Sequence, residues 1–354
     1  MADNRLISLQ IARGIAALLV FVMHLFNMAG AVTGSKWAAN VAEFTHLFGH
    51  IGVDVFFVLS GVVICVVVSR IETDTTNANT AFNATDFLVR RMVRVYPLFW
   101  MTLVACLILP ATPGSDNSVT TLLNNPSSIF LLSKPEAHPV AWTLVYEIQF
   151  YIVATILLLF GRHKRKAFIA WALLQVFFVA GAKAALLPQW QIFDPLSLEF
   201  SMGILIGMFV SLRTLKRPMA WICAAAVAAL CSSLYFGGNA IAFDATLRVI
   251  FWGIPSAIFI AAMISYEATH TLKKTAFSRM GDISYSIYMW HPIALLLSLM
   301  ILGSWNTGGN TFVTIVYIVL SVFLTFSISK VSYEYVEKPL SRLFYIRPRQ
   351  IKSA

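Results

Sequence analysis

Ten apolar stretches, most of them close to the ~20 residues that a helix needs to cross a bilayer, account for most of this chain. They cover roughly residues 11–31, 50–69, 95–110, 141–160, 167–187, 195–212, 219–236, 245–265, 283–303 and 311–331. A segment in lipid must satisfy its backbone hydrogen bonds internally, which a helix of this length does. The pattern therefore predicts an all-α, polytopic membrane protein with one transmembrane domain over residues 1–354.

Composition and charge support this prediction. Hydrophobic residues make up 58% of the chain and charged residues 12%, about half the charged share of a typical soluble domain. With both termini in the cytoplasm, 22 of the 26 Lys and Arg residues lie at the cytoplasmic face. The exceptions are Lys36, Lys134, Lys183 and Arg248. This asymmetry follows the positive-inside rule, so it explains the net charge of +10 by topology rather than by nucleic-acid binding.

The cysteines give no sign of a disulfide framework or a metal site. Cys65, Cys106, Cys223 and Cys231 all fall in apolar segments and lack the spacing of zinc ligands. We expect them to be packing thiols.

Two polar residues interrupt the first apolar stretch. Arg13 and His24 are eleven positions apart, and at about 100° per residue this spacing returns both side chains to one helix face. Along the axis they are about 16 Å apart, roughly half the thickness of a bilayer core. Because a cation in hydrocarbon is expensive, membrane proteins retain such groups mostly for chemistry or transport.

Two carboxylates lie in the outer halves of later stretches. Asp54 admits two interpretations: a helix-end cap or structural partner of another polar group, or a carboxylate that orients His24 or binds a substrate hydroxyl. Glu147 is flanked by Trp142 and Tyr146, a combination that suits a sugar ring. The alternatives for this segment are an interfacial aromatic belt and a structural ion pair.

Arg91 and Arg94 precede the third stretch and share one helix face. Their forked donors match phosphate oxygens, although a topogenic or lipid-headgroup cluster has the same appearance. His291 lies near the middle of the ninth stretch, either as a functional group or as a hydrogen-bonded core histidine. Sorted by expected depth, the arginines face the cytoplasm, whereas His24 and the two carboxylates lie toward the outside.

Seven segments carry a resemblance that covers most of the chain. They read SLQIARGIAALLVFVMH, GVDVFFVLSG, RRMVRVYP, WTLVYEIQFY, LEFSMG, ISYSIYMWH and VEKP. In this order they resemble the membrane-bound acyltransferase family three. Within that family the resemblance is to the compact bacterial enzymes that O-acetylate exopolysaccharide and O-antigen and have no fused esterase-like domain. The resemblance implies an inner-membrane enzyme, a donor substrate that is acyl-CoA and usually acetyl-CoA, and no permanently bound cofactor. The implied acceptor is a hydroxyl of a surface polysaccharide or its lipid-linked precursor.

The resemblance also assigns residues. Arg13 and His24 match the R-x10-H pair, Arg91 and Arg94 match the R-x-x-R pair, and Glu147 matches the acid of the fourth helix. Our predicted site therefore has three parts. The catalytic residues are His24, Glu147 and Asp54, the acyl-CoA contacts are Arg13, Arg91 and Arg94, and the substrate-binding residues are Trp142, Tyr146 and His291.

The alternative function is a transporter or flippase for a lipid-linked saccharide, which would also need charges and aromatic rings inside the membrane. Such a protein has no obvious need for paired arginines that bind a cytosolic phosphoester. For the transferase, the expected partners are acyl-CoA, the saccharide acceptor, membrane lipids and proteins of polysaccharide assembly.

Overall fold

The computed structural model describes residues 6–73, 80–109, 119–209, 214–303 and 308–343. Within these ranges the chain forms helices and no strand. The α-helices are α1 (Ile7–Thr33), α2 (Lys36–His46), α3 (Ile51–Thr73), α4 (Thr80–Ile108), α5 (Val119–Asn124), α6 (Trp142–Leu158), α7 (Lys164–Lys183), α8 (Ser197–Phe209), α9 (Pro218–Phe236), α10 (Gly238–Phe243), α11 (Ala245–Arg248), α12 (Ile254–Thr269), α13 (Ala276–Asp282), α14 (Ser284–Leu302), α15 (Thr311–Ser332) and α16 (Lys338–Leu343). Short π-helical segments join α11 to α12 and α15 to α16.

The all-α, polytopic class predicted from the sequence is confirmed. In the part of the chain that the structure describes, eight helical segments are long and apolar enough to cross a membrane. The fourth and sixth predicted stretches correspond to shorter apolar helices, α6 with 17 residues and α8 with 13 residues. The number of crossings and the cytoplasmic location of the termini stay predictions.

The third predicted stretch begins too late. The sequence placed its start at residue 95, whereas α4 begins at Thr80 and includes both Arg91 and Arg94. A prediction from hydropathy ends a membrane segment where charged residues begin. The helix itself can continue through those residues when their side chains form ion pairs. In α4 the Arg90 guanidinium pairs with Asp86 one turn earlier, with an N–O distance of 2.7 Å. Arg94 therefore lies about 21 Å along the axis of α4 rather than ahead of it.

Close approach of helices organises the interior. α1 packs against α3, α13, α14 and α15, and α3 packs against α8. At the crossing of α3 and α8, a Cβ added to Gly61 would lie 2.2 Å from the Phe200 carbonyl oxygen, and one added to Gly203 would lie 2.1 Å from that of Val58. Small residues are what membrane helices use where their backbones touch. This packing fixes α3, which forms one wall of the candidate site.

The cysteines are all free, but they do not share one environment. Cys65 and Cys106 are buried as packing thiols, whereas Cys223 and Cys231 are exposed on the outer face of α9. The expectation of packing thiols therefore holds for two of the four.

We predict that Gly203→Ala destabilises the protein by about 1–3 kcal/mol, because the added methyl group meets backbone that cannot move aside. The measurement is the thermal unfolding midpoint of the purified protein in nanodiscs. Gly181→Ala is the matched control, since its Cβ would meet only the flexible Leu187 side chain, at 3.1 Å. Equal midpoints for the two variants would contradict the role of the α3–α8 contact.

Candidate active site

One cavity lies between α1, α3, α4, α6 and α14, and it collects the predicted arginines. Arg13 reaches it from α1, and Arg91 and Arg94 reach it from α4. All three are half-buried because they border this space. The cavity is narrow, with a volume of ≈ 70 Å³.

Glu147 and Tyr151 of α6 also line this cavity. The Tyr151 hydroxyl donates a hydrogen bond to the Glu147 carboxylate. The Arg91 guanidinium lies 5.4 Å from the centroid of the Tyr151 ring and 5.3 Å from that of Phe87. Glu147 also interacts electrostatically with Arg13 and Arg91. The sequence had assigned Glu147 to an outer cluster with His24, but the structure groups it with the arginines.

A second carboxylate that sequence reasoning did not assign to the site approaches from the C-terminal end of α15. Glu337 ends the π-helical segment after α15 and accepts a hydrogen bond from Ser286 of α14. It interacts electrostatically with Arg94 and Arg13. Arg13 in turn donates from Nε to the Ser284 hydroxyl at 3.3 Å. The VEKP segment marked Glu337 as a residue of interest in the sequence. It lies far from the arginines along the chain, so the sequence did not predict their contact.

Of the interpretations that the sequence left open for Asp54, the structure supports the structural one. Its two carboxylate oxygens accept from Nε and from a terminal nitrogen of Arg248, at 2.9 and 3.0 Å. Both side chains are buried, and the guanidinium lies 5.7 Å from the Trp142 ring and 5.9 Å from the Trp252 ring. A buried cation that lost its carboxylate would be strongly destabilising, which explains this pairing. Asp54 is thus the structural partner of Arg248 and does not orient His24.

The two aromatic residues predicted to bind substrate do not line the cavity. Trp142 faces Arg248, and the Tyr146 ring packs on Phe57 with a centroid separation of 5.6 Å. The cavity is instead lined by other aromatic residues, among them Phe56, Tyr285 and Tyr288. Their spacing on α3 and α14 gave no sign that they would meet.

His24 and His291 meet beside the cavity. Their ring centroids are 5.0 Å apart. His24 Nδ1 lies 2.9 Å from the Val20 carbonyl oxygen, and His291 Nδ1 lies 3.2 Å from that of Ile287. A carbonyl only accepts hydrogen bonds, so each Nδ1 carries a proton, and in the neutral form of each ring Nε2 keeps its lone pair. The arrangement therefore presents two imidazoles whose neutral forms accept a proton at Nε2.

The loop ahead of α6 contributes a further histidine that the sequence analysis passed over. His138 is 1% exposed, and neither of its ring nitrogens has a hydrogen-bond partner within the described ranges. Burial lowers the pKa of His138 to about 4. Its ring lies 6.4 Å from that of Phe99, and it interacts electrostatically with His291. Across residues 6–73, 80–109, 119–209, 214–303 and 308–343, no group of three or more His, Cys, Asp or Glu side chains is arranged to hold a metal ion.

Comparison with known proteins confirms the resemblance. A family model described as an acyltransferase domain, of acyltransferase family 3, matches residues 6–330. The exopolysaccharide production protein ExoZ of Rhizobium meliloti (strain 1021) is 28% identical over 308 residues, which are 83% of this chain and 90% of ExoZ. The putative peptidoglycan O-acetyltransferase YrhL of Bacillus subtilis (strain 168) is 25% identical over 329 residues, 82% of this chain and 50% of YrhL. No solved structure matches the chain.

The low pKa of His138 predicts a pH dependence of stability. Because the folded protein holds this imidazole neutral, its contribution is complete above the unfolded pKa of about 6.5 and is lost as the pH falls toward about 4. Between pH 7 and pH 5 the loss is about 2 kcal/mol. The thermal midpoint of His138→Leu should therefore fall less over this interval than that of the wild type. Equal falls of the two thermal midpoints would show that folding does not lower the pKa of His138.

Proposed function

This chain belongs to acyltransferase family 3, whose model matches residues 6–330, and from that membership we propose that it O-acetylates a saccharide at the membrane. The donor in this proposal is cytosolic acetyl-CoA. The acceptor is a hydroxyl of a surface polysaccharide or of its lipid-linked precursor, and the enzyme resides in the bacterial inner membrane. The names of both relatives support a bacterial cell-surface glycan as the class of acceptor.

The observation that carries the donor assignment is the grouping of three guanidiniums in one cavity of an otherwise apolar bundle. Arg13, Arg91 and Arg94 face two carboxylates, Glu147 and Glu337, so these five groups have an excess of one positive charge. An excess of buried cations favours an anionic ligand, and the guanidinium fork matches phosphate oxygens. Acyl-CoA supplies phosphates at one end and a thioester at the other.

The remaining walls of the cavity suit the arm between those two ends. Val53, Phe56 and Leu144 are apolar, while Ser60 and Thr143 offer single hydroxyls. A pantetheine arm is a long, unbranched chain with a few amide groups, which needs mainly apolar walls and occasional polar contacts. In the proposed complex the phosphates bind the arginines and the thioester points along α1 toward His24.

Glu147 has its proposed role on the donor side. Through the Tyr151 hydroxyl, its carboxylate holds the ring against which the Arg91 guanidinium lies. The carboxylate also offsets part of the repulsion among the arginines. We therefore assign Glu147 as a positioning residue for the donor rather than as a contact of the acceptor.

His24 is the proposed catalytic residue. Its Nε2 lone pair can take the proton of the acceptor hydroxyl as a general base, or attack the thioester and carry the acyl group. Both routes require the tautomer that the Val20 carbonyl selects. In either route the acceptor approaches from the half of the bundle opposite the arginines.

The proposed activity is tested in the cells that make the protein, by NMR analysis of their surface glycans. We expect deletion of the gene to remove one class of O-acetyl group and leave the amount of glycan unchanged. Wild-type protein should restore the acetyl group, whereas His24→Ala should accumulate in the membrane without restoring it, because the catalytic imidazole is missing. Loss of the glycan itself would favour a flippase and refute the transferase.

A second prediction concerns the donor phosphates. Arg94→Ala should weaken acetyl-CoA binding about ten- to a hundredfold, the value of a hydrogen bond between charged groups, and should affect a dephosphorylated acetyl-pantetheine thioester much less. Arg94→Lys should restore binding only in part, because an ammonium lacks the fork. Arg90→Ala is the matched control, since Arg90 pairs with Asp86 and does not line the cavity. Equal losses for both ligands would exclude a phosphate contact.

A further inference from the structure

The two imidazoles beside the cavity differ in how they meet the solvent and the cavity. His24 is half-buried, whereas His291 is 0% exposed. The Nε2 of His291 has no hydrogen-bond partner among the described residues. A buried acceptor without a partner costs free energy, so its retention calls for an explanation. This nitrogen would be retained if it accepts a proton during the reaction.

His291 lies on the cavity side of the pair. Its ring is 6.0 Å from that of Tyr288, which lines the cavity one helical turn earlier on α14. The Tyr288 hydroxyl donates to the Val140 carbonyl at 3.0 Å and bonds to Thr143 at 3.1 Å, so the phenol ring is held between the cavity and His291. The order of groups is therefore His24, His291, Tyr288 and then the cavity.

We propose that His291 relays the proton of the acceptor hydroxyl from His24 to the sulfur of the departing CoA, an inference that rests on the proposed function. The acceptor oxygen forms a bond to the acyl carbon while Nε2 of His24 takes its proton. That proton passes to Nε2 of His291, the carbon–sulfur bond breaks, and the thiolate takes the proton from His291. Both imidazoles return to their neutral form, and the products are the O-acetyl ester and free CoA thiol.

The relay would neutralise the negative charge of the departing thiolate. A thiolate released into the low-dielectric interior of a membrane protein is costly, as any isolated buried anion is. The arginines are assigned to the phosphates at the other end of the donor, so they do not serve the sulfur. The titratable groups that face His291 are His24, His138 and Tyr288. Among these, His24 is the group that meets the acceptor, so it receives the proton first.

The relay predicts that His291 matters in proportion to the basicity of the leaving thiolate. The test compares two small donors, the acetyl thioester of N-acetylcysteamine, whose alkyl thiolate resembles that of CoA, and that of thiophenol, whose thiolate needs no proton to leave. The acceptor is de-O-acetylated surface polysaccharide from cells that lack the protein. The protein is the full chain in nanodiscs, and the readout is the initial rate of acetyl incorporation.

For His291→Asn we expect a loss of about a hundredfold with the alkyl thioester, within the range of general acid–base catalysis, and of less than about tenfold with the aryl thioester. His24→Asn should reduce the initial rate by the same factor with both donors, because the acceptor hydroxyl still needs its base. The control is Ser298→Ala, which should leave both rates unchanged. Ser298 lies two turns further along the same face of α14, and among the described residues its hydroxyl bonds to the Ala294 carbonyl alone.

The two rates are measured on the same sample, so their ratio stays valid for a variant of which only part is folded. His291→Gln is a second variant for the same measurement. Equal losses of His291→Asn with both donors, in the presence of active wild-type protein, would overturn the relay and leave the proposed function intact. Wild-type protein that transfers acetyl neither from these two donors nor from acetyl-CoA would overturn the proposed function and the relay together.

Discussion

The site depends on three guanidiniums held inside an apolar helical bundle. Each would be expensive alone, since charge in a low-dielectric interior loses its hydration. The surroundings compensate for this cost through particular contacts. Glu147 and Glu337 supply negative charge, the rings of Phe87 and Tyr151 face the Arg91 guanidinium, and the Ser284 hydroxyl accepts from Arg13. Because these partners come from four helices, the helix packing and the charge arrangement stabilise each other.

Sequence reasoning reached the fold class because that class depends on local properties. The lengths of apolar stretches predicted the helices, and the eleven-residue spacing of Arg13 and His24 put both on one face of α1. It failed where charged residues continue a helix. Asp86 and Arg90 extend α4 beyond the apolar limit, and this extension brings Arg94 inside the bundle and into the cavity with Glu147. Hydropathy contains no information on such pairing.

The other missed features depend on contacts between distant parts of the chain. Asp54 was grouped with His24 by depth, with a structural partner left open, and the sequence did not identify that partner. It is Arg248, 194 positions away, which had been noted only as an exception to the positive-inside pattern. Glu337 reaches the arginines from the far end of the chain. His291 was predicted as a substrate contact, and no pattern in the sequence indicated that its ring would lie next to that of His24. Tertiary pairing decided each case, and one sequence does not encode pairing in any local pattern.

The position of Tyr288 has a consequence for the cell as well as for the reaction. Polar groups extend from the arginine cavity through the two imidazoles to the half-exposed His24, and a continuous aqueous thread along them would conduct protons down the membrane potential. Tyr288 lines the cavity and its ring lies 6.0 Å from that of His291, and its hydroxyl is held by the Val140 carbonyl and Thr143, so a fixed aromatic ring occupies part of this route. In the proposed reaction an acyl group passes between the two halves of the bundle, and a ring fixed in this way would limit the flow of protons along the same route.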